Sequence, residues 1–212
     1  MLFDVLHKME EPTIDERKRW WLLYYGITSM EKAIKSCDLI AQHCTTNADP
    51  LFQPLSLAVH AFYARPFKSN GSAGRLPRDL VPDGAKGIHS WLEHFRDGVM
   101  SHIDPKVSET AGHPMNDVVY TISGSKRQFS TLEARPSVEA YSDARAHCEA
   151  MIEVFEDEIT GLLERFHGLL PQSDGEYSLS IADGTPLFIA GYVMPVRSNL
   201  NYKCRGRTSR LA

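Results

Sequence analysis

Arg96 and His102, six residues apart, carry the best-defined chemistry in this sequence. They lie in the segment 86–104, where Ile88, Leu92, Phe95 and Val99 recur at helical spacing and predict one buried face. His102 falls on the next position of that stripe, and Arg96 stands just off it. On a helix the two are about 9 Å apart in rise and roughly 120° apart in azimuth. They flank one edge rather than touch, yet an Arg can reach a phosphate held beside His102. Such a pair supports RNA cleavage without a metal. His102 takes the proton of an RNA 2′-hydroxyl, the oxygen attacks its own phosphate, and Arg96 offsets the developing charge. A place in the last helical turn favours the imidazolium, which suits the acid half of that reaction better than the base half. The same residues also have a structural reading: a buried His, and an Arg that caps or pairs at a helix interface.

Two other groups of residues carry possible chemistry. Residues 66–85 form a long stretch rich in Gly, Ser and Pro. Arg65 precedes it, and Lys68, Arg75 and Arg78 lie within it. Glycines expose backbone N–H groups and Arg suits phosphate, so a phosphate-binding loop is one reading and a solvated surface loop the other. His60, His89, His94, His102 and His113, with Asp104, are the candidates for a metal held between helices. His89 and His94 are five apart rather than the three or four that share a helical face, and no metal site is expected. The end of the chain holds Arg197, Lys203, Arg205, Arg207 and Arg210 with no acid. It reads as a mobile basic tail, either simply solvated or in contact with RNA or another acidic partner.

The elements that must position these residues are mostly helices. A helix is predicted over 14–46, with Trp20, Leu23, Ile27, Met30, Ile34, Cys37, Ala41 and Cys44 alternating by three and four as a heptad seam. The run 20–25 is apolar nearly all round, which implies cover from the bundle on one side and a second subunit on the other. Asn47-Ala48-Asp49-Pro50 is a break with a capping residue and a Pro suited to a first helical position. A second helix is predicted over 51–63, ending before Pro66. A second long helix, the fourth in the chain, is predicted over 137–169, with Ser137 as N-cap and a seam through Cys148, Ile152, Phe155, Ile159, Leu162, Phe166 and Leu169. Alternation and turn residues predict one β-hairpin over 117–122 and 127–132, and another over 176–181 and 187–190. The expected fold is mainly α: an antiparallel helical bundle with one or two small β-hairpins. Residues 1–170 would form the bundle with its hairpin inserted near 117–133, and 171–212 a C-terminal hairpin and basic tail.

Composition narrows the function classes. The chain has 212 residues, 42% of them hydrophobic and 24% charged, enough for a full core in one soluble domain. The formal net charge of −4 gives no global attraction to nucleic acid, so any such site must be a local basic patch. No apolar run approaches the ~18 residues of a membrane span. The N-terminus lacks a basic start followed by an apolar core, so no signal peptide is expected. Cys37, Cys44, Cys148 and Cys204 form no Cys-x-x-Cys pair, and the first three fall on apolar stripes as buried thiols compatible with a reducing cytoplasm. Phosphate-loop, dinucleotide, nucleophile-elbow and His-Glu-x-x-His patterns are absent.

The segment Phe95-Arg96-Asp97-Gly98-Val99-Met100-Ser101-His102-Ile103-Asp104 resembles the signature of the HEPN superfamily. Asp97 matches the polar position after the Arg, His102 the histidine, Ser101 a position where a small residue is common, and Asp104 the frequent trailing acid. Gly98 departs from the pattern, since glycine weakens a helix. The resemblance is specific over the motif-bearing helix and loose over 14–169, and is closest to abortive-infection-type or uncharacterised bacterial members. It implies a metal-independent endoribonuclease without cofactor, with Arg96, Asp97 and His102 as its catalytic set. It further implies a homodimer with two motifs facing one cleft, an RNA substrate, and a role in bacterial defence or beside a nucleotidyltransferase-like antitoxin. Many members are non-catalytic binding modules, and a dimeric interaction protein built on the same bundle is the rival reading.

Overall fold

The computed structural model describes residues 11–95, 117–132 and 136–191. Among the described residues lie four α-helices, two antiparallel two-stranded sheets and several short 3₁₀ turns. The α-helices and paired strands are α1 Ile14–His43, α2 Phe52–Ala64, α3 Lys86–His94, β1 Asp117–Ser123, β2 Lys126–Leu132, α4 Ala140–Arg165, β3 Tyr177–Leu179 and β4 Phe188–Ala190. The fold is mainly α with small β-hairpins, as the periodicities predict. No helix among the described residues is long and apolar enough to cross a membrane.

A capping box starts α1. The Glu16 N–H donates to Thr13 Oγ1 at 3.3 Å, and the Thr13 N–H donates to Glu16 Oε2 at 2.8 Å, satisfying two otherwise orphaned donors. The helix stops at His43, short of the expected 46. There the Asp49 carboxylate accepts the Thr45 and Thr46 N–H groups at 2.6 and 2.8 Å and folds the chain into a turn. Asp49 therefore closes the turn before α2 rather than capping α2, whose N-cap is Leu51 with no side-chain bond. Likewise Glu139, not Ser137, holds the N-cap position of α4.

Helix α1 is the centre of the bundle. Its ion pairs with α4 join Glu16 to Arg165, Arg19 to Glu158 and Asp38 to Arg145, an order that makes the two helices antiparallel. Arg65 lies over Tyr25 and Lys32 over Phe62, so α2 also runs antiparallel to α1. Cover from two sides widens the buried face of α1. It takes in Leu22, Gly26, Ser29, Ala33, Ser36 and Ile40 besides Trp20, Leu23, Met30 and Cys37, whereas Ala41 of the predicted seam is exposed. Small residues on that face let the helices approach closely. A Cβ on Gly26 would stand 2.8 Å from Cε2 of Phe155, so only glycine fits there unless α4 shifts. Cys37 on α1 and Cys148 on α4 are buried free thiols of this core.

The predicted loop 66–85 is a packed segment of short 3₁₀ turns. Phe67, Ala73, Leu76 and Val81 are buried, and the Leu76 N–H donates to the Pro66 carbonyl at 2.8 Å. The hairpin β1–β2 pairs Val118 with Thr131, Tyr120 with Phe129 and Ile122 with Arg127. Val118, Tyr120, Ile122, Arg127 and Phe129 share one face, since side chains alternate along a strand, and all but Arg127 are exposed large hydrophobics. The hairpin β3–β4 instead packs onto the start of α1. Phe188 meets Trp20 edge to face at 5.9 Å, and the Arg17 guanidinium donates to the Thr185 carbonyl at 2.6 Å.

Candidate functional site

The site forms where α3 meets α2, α4 and the 66–85 segment. The apolar stripe predicts Ile88 and Leu92 as the inward positions of α3. Leu92 is buried, but the fully inward residues beside it are His89 and Glu93, both 4% exposed. A buried charge is costly unless paired. Glu93 is paired three ways: Arg78 at 2.7 Å and His89 Nε2 at 3.2 Å on Oε2, and Lys68 Nζ at 3.2 Å on Oε1. The last two contacts meet at angles short of hydrogen bonds, so their attraction is coulombic.

His89 leads inward to a second layer. Its Nδ1 lies 2.6 Å from the Tyr63 hydroxyl, and that hydroxyl lies 2.8 Å from His147 Nε2 on α4. A carboxylate facing Nε2 of His89 favours the proton there, leaving Nδ1 as an acceptor. Tyr63 then donates to His89 and accepts from His147. Burial holds the Tyr63 phenol far above its usual range and pushes His147 down to about 4. His89 is lowered chiefly by burial; the Glu93 charge is the next largest influence and opposes it, while Arg78 and Lys68 add smaller lowering contributions.

One turn away on α2 a parallel network has no opening. His60 is fully buried. Its Nδ1–H donates to the Leu92 carbonyl at 3.0 Å, and its Nε2 accepts from the Tyr141 hydroxyl at 3.1 Å. The Ser56 hydroxyl completes the chain by donating to Tyr141. Trp91, Phe95 and Tyr141 surround the imidazole, with ring centroids at 4.9, 5.1 and 5.8 Å. That apolar box lowers its pKa to about 4, so the ring is neutral near pH 7.

Outside Glu93 lies an open pocket of about 480 Å³ lined by Lys68, Arg78, Lys86, His89, Ser90 and His94. The structure thus brings Lys68 and Arg78 together, on a carboxylate that already occupies part of their charge. Arg65 stands apart from Arg78, with its guanidinium over the rings of Tyr25 and Phe62 at 5.4 and 5.9 Å. It shares a shallower pocket with Lys68, Ser69 and Asn70. Arg75 is exposed and makes no ion pair among the described residues. Arg96, Asp97, His102, Asp104, His113 and the basic tail lie outside the described residues. Of the histidines considered for a metal, His60 and His89 belong to separate networks, and no group of three or more His, Cys, Asp or Glu among the described residues is arranged to hold an ion.

Tyr63, Glu93, Tyr141 and His147 escape the sequence reading. Their partners are up to 85 positions away, and no local spacing signals a hydroxyl between two imidazoles. Comparison with protein-family models, curated proteins and solved structures finds no match to this chain.

Proposed function

We propose that the chain is a HEPN-like RNA-binding protein whose Arg96-Asp97 and His102 cleave RNA without a metal. The carrying observation is the pocket beside the last turn of α3. Lys68 and Arg78 share the buried Glu93 carboxylate and Lys86 pairs with the solvated Asp83, so three cations meet two carboxylates and leave one net positive charge at a place suited to phosphate. The motif follows in the chain directly after Phe95, a buried neighbour of that pocket's helix. In the reaction the 2′-oxygen attacks the adjacent phosphorus and the bond to the 5′-oxygen breaks. His102 accepts the 2′-hydroxyl proton, the 5′-oxygen takes up a proton as it leaves, and Arg96 stabilises the charged phosphorane. The products are a 2′,3′-cyclic phosphate and a 5′-hydroxyl. On this reading the chain is a cytoplasmic homodimer of a defence or toxin–antitoxin system, with a nucleotidyltransferase-like antitoxin as its partner.

The test is incubation of the purified protein with total RNA in EDTA, beside His102→Ala and Arg96→Ala variants verified as folded by circular dichroism. Cleavage that survives the chelator, leaves cyclic phosphate ends and is lost in both variants supports the reading. Absence of cleavage by the wild type, or cleavage retained in both variants, overturns it.

The second reading, a non-catalytic interaction protein, is favoured by one observation: the exposed apolar face of β1–β2. It predicts a dimer that Phe129→Asp converts to monomer in sedimentation, with no RNA cleavage by either form.

A further inference from the structure

The outer surface of α1 carries aromatic rings that the core covers only in part: Trp21 packs against it at the edge, and Tyr24 and Tyr25 lie beyond it. Trp21 and Tyr25 stack on one another at 5.0 Å with planes 11° apart, and both are half-buried. Tyr24, on the same turn, is 50% exposed. Arg65 extends this ring pair across to α2 through Tyr25 and Phe62, and Lys32 lies 5.7 Å over the Phe62 ring. Cations therefore border the rings, and no ion pair neutralises Arg65 or Lys32 among the described residues. The cationic line continues. Arg65 and Lys68 line one pocket, and Lys68 also lines the pocket beside α3 with Arg78 and Lys86.

The exposed Tyr24 ring beside the half-buried Trp21–Tyr25 pair, bordered by guanidinium and ammonium groups, matches one ligand chemistry closely. A single-stranded nucleic acid offers unpaired bases to stack and a phosphate chain to neutralise. A duplex hides its bases, and an acidic peptide lacks the flat partners. From Trp21 to Lys32 is about 16 Å along α1, room for about five nucleotides at the stacked spacing of about 3.4 Å.

We infer that Trp21, Tyr24 and Tyr25, with Arg65 at their border, form a base-stacking shelf for single-stranded RNA. The phosphates of that strand run along Arg65 and Lys68 towards the pocket at α3. The shelf rests on the RNA reading above, adds a site to it, and fails separately from it.

The experiment measures binding of a fluorescein-labelled oligouridylate to the full chain carrying His102→Ala, so that cleavage cannot deplete the probe. Tyr24→Ala and Trp21→Ala each weaken binding at least about tenfold, while Tyr24→Phe, which keeps the ring, binds like the parent. Arg65→Ala weakens binding and lowers the slope of log affinity against log salt by about one, whereas Tyr24→Ala leaves that slope unchanged. Ultraviolet crosslinking places the uridines on peptides containing residues 21–25. Duplex RNA of the same length does not compete. Unchanged affinity in both Tyr24→Ala and Trp21→Ala overturns the shelf. So does a dimer that these variants split without altering RNA binding, which would make the surface a seat for a second copy. RNA cleavage with shelf-independent binding removes the shelf and keeps the nuclease. Shelf-dependent binding by a protein that never cleaves does the reverse.

Discussion

Two Tyr–His networks, built from the same residue types on the same helices, face opposite fates. The one around His60 is closed. Every donor has an acceptor, from Ser56 through Tyr141 and His60 to the Leu92 carbonyl, and three aromatic rings exclude water. The one around His89 is open. Tyr63 and His147 seal its inner end, but its outer end is a carboxylate shared among Lys68, Arg78 and His89 at the wall of a pocket. A buried polar chain that is fully satisfied fixes one packing. A chain that ends on partly solvated ions leaves charge for a ligand to redistribute. The contrast separates scaffold from site more sharply than residue type does.

The largest effect expected on this contrast is from His60→Ala. It leaves the Tyr141 hydroxyl with Ser56 alone and opens a cavity beside Trp91, at a cost of about 3 kcal/mol or more in denaturant unfolding. His89→Ala loses about half of that, because its outer side already borders the pocket. Equal costs for the two would abolish the distinction.

Acid comes next. His60 and His147 have folded pKa values of about 4, below the unfolded value of about 6.5. The unfolded chain therefore binds protons that the folded chain refuses. Stability is full above about pH 6.5 and falls as the pH drops towards 4, by at most roughly 3 kcal/mol per imidazole. Melting curves from pH 8 to 4 check the sign, and His60→Ala should flatten part of the slope.

Glu93→Gln is smaller in stability but informative in function. It removes the charge that pairs Lys68 and Arg78, costing about 1–2 kcal/mol. The freed cations then bind oligouridylate a few-fold more tightly with a steeper salt dependence. Weaker binding instead would mean that Glu93 positions those cations for the ligand. The smallest effect is at Lys86→Ala, whose ion-pair partner Asp83 is fully solvated. It should leave the melting temperature unchanged and weaken RNA binding slightly.

Much of the scaffold is legible in the sequence because α1, α2 and α4 repeat apolar residues at helical spacing and both hairpins carry turn residues. The failures have physical causes. Counting apolar residues finds the seam of α1 through Trp20, Leu23, Met30 and Cys37, with Ile27 and Ile34 packed at its edge, but it includes the exposed Ala41 and misses Gly26, Ser29 and Ala33, small residues over which helices approach most closely. The segment 66–85 reads as a loop because Pro and Gly break any period, yet Phe67, Leu76 and Val81 anchor it one at a time. On α3 the stripe rule assigns polar residues outward, and His89 and Glu93 turn inward because their partners arrive from Tyr63, Lys68 and Arg78. Lys68 and Arg78 of the candidate site are visible in the sequence within a cationic cluster, though Arg65 and Arg75 of that cluster do not line the pocket and Lys86, which does, lies outside it. That Lys68 and Arg78 share a buried acid is not visible there, since Glu93 sits where a solvated helix face is the ordinary expectation.

The core thiols make the protein a clock for its own opening. Burial pushes Cys37 up to about 12 and holds Cys148 higher still, so at neutral pH almost no thiolate is presented to an alkylating reagent. Labelling of either thiol must wait for α1 and α4 to part. The modification rate of unaltered protein, followed by mass spectrometry, therefore reports how often that seam separates, and ligands that clamp the bundle should slow it.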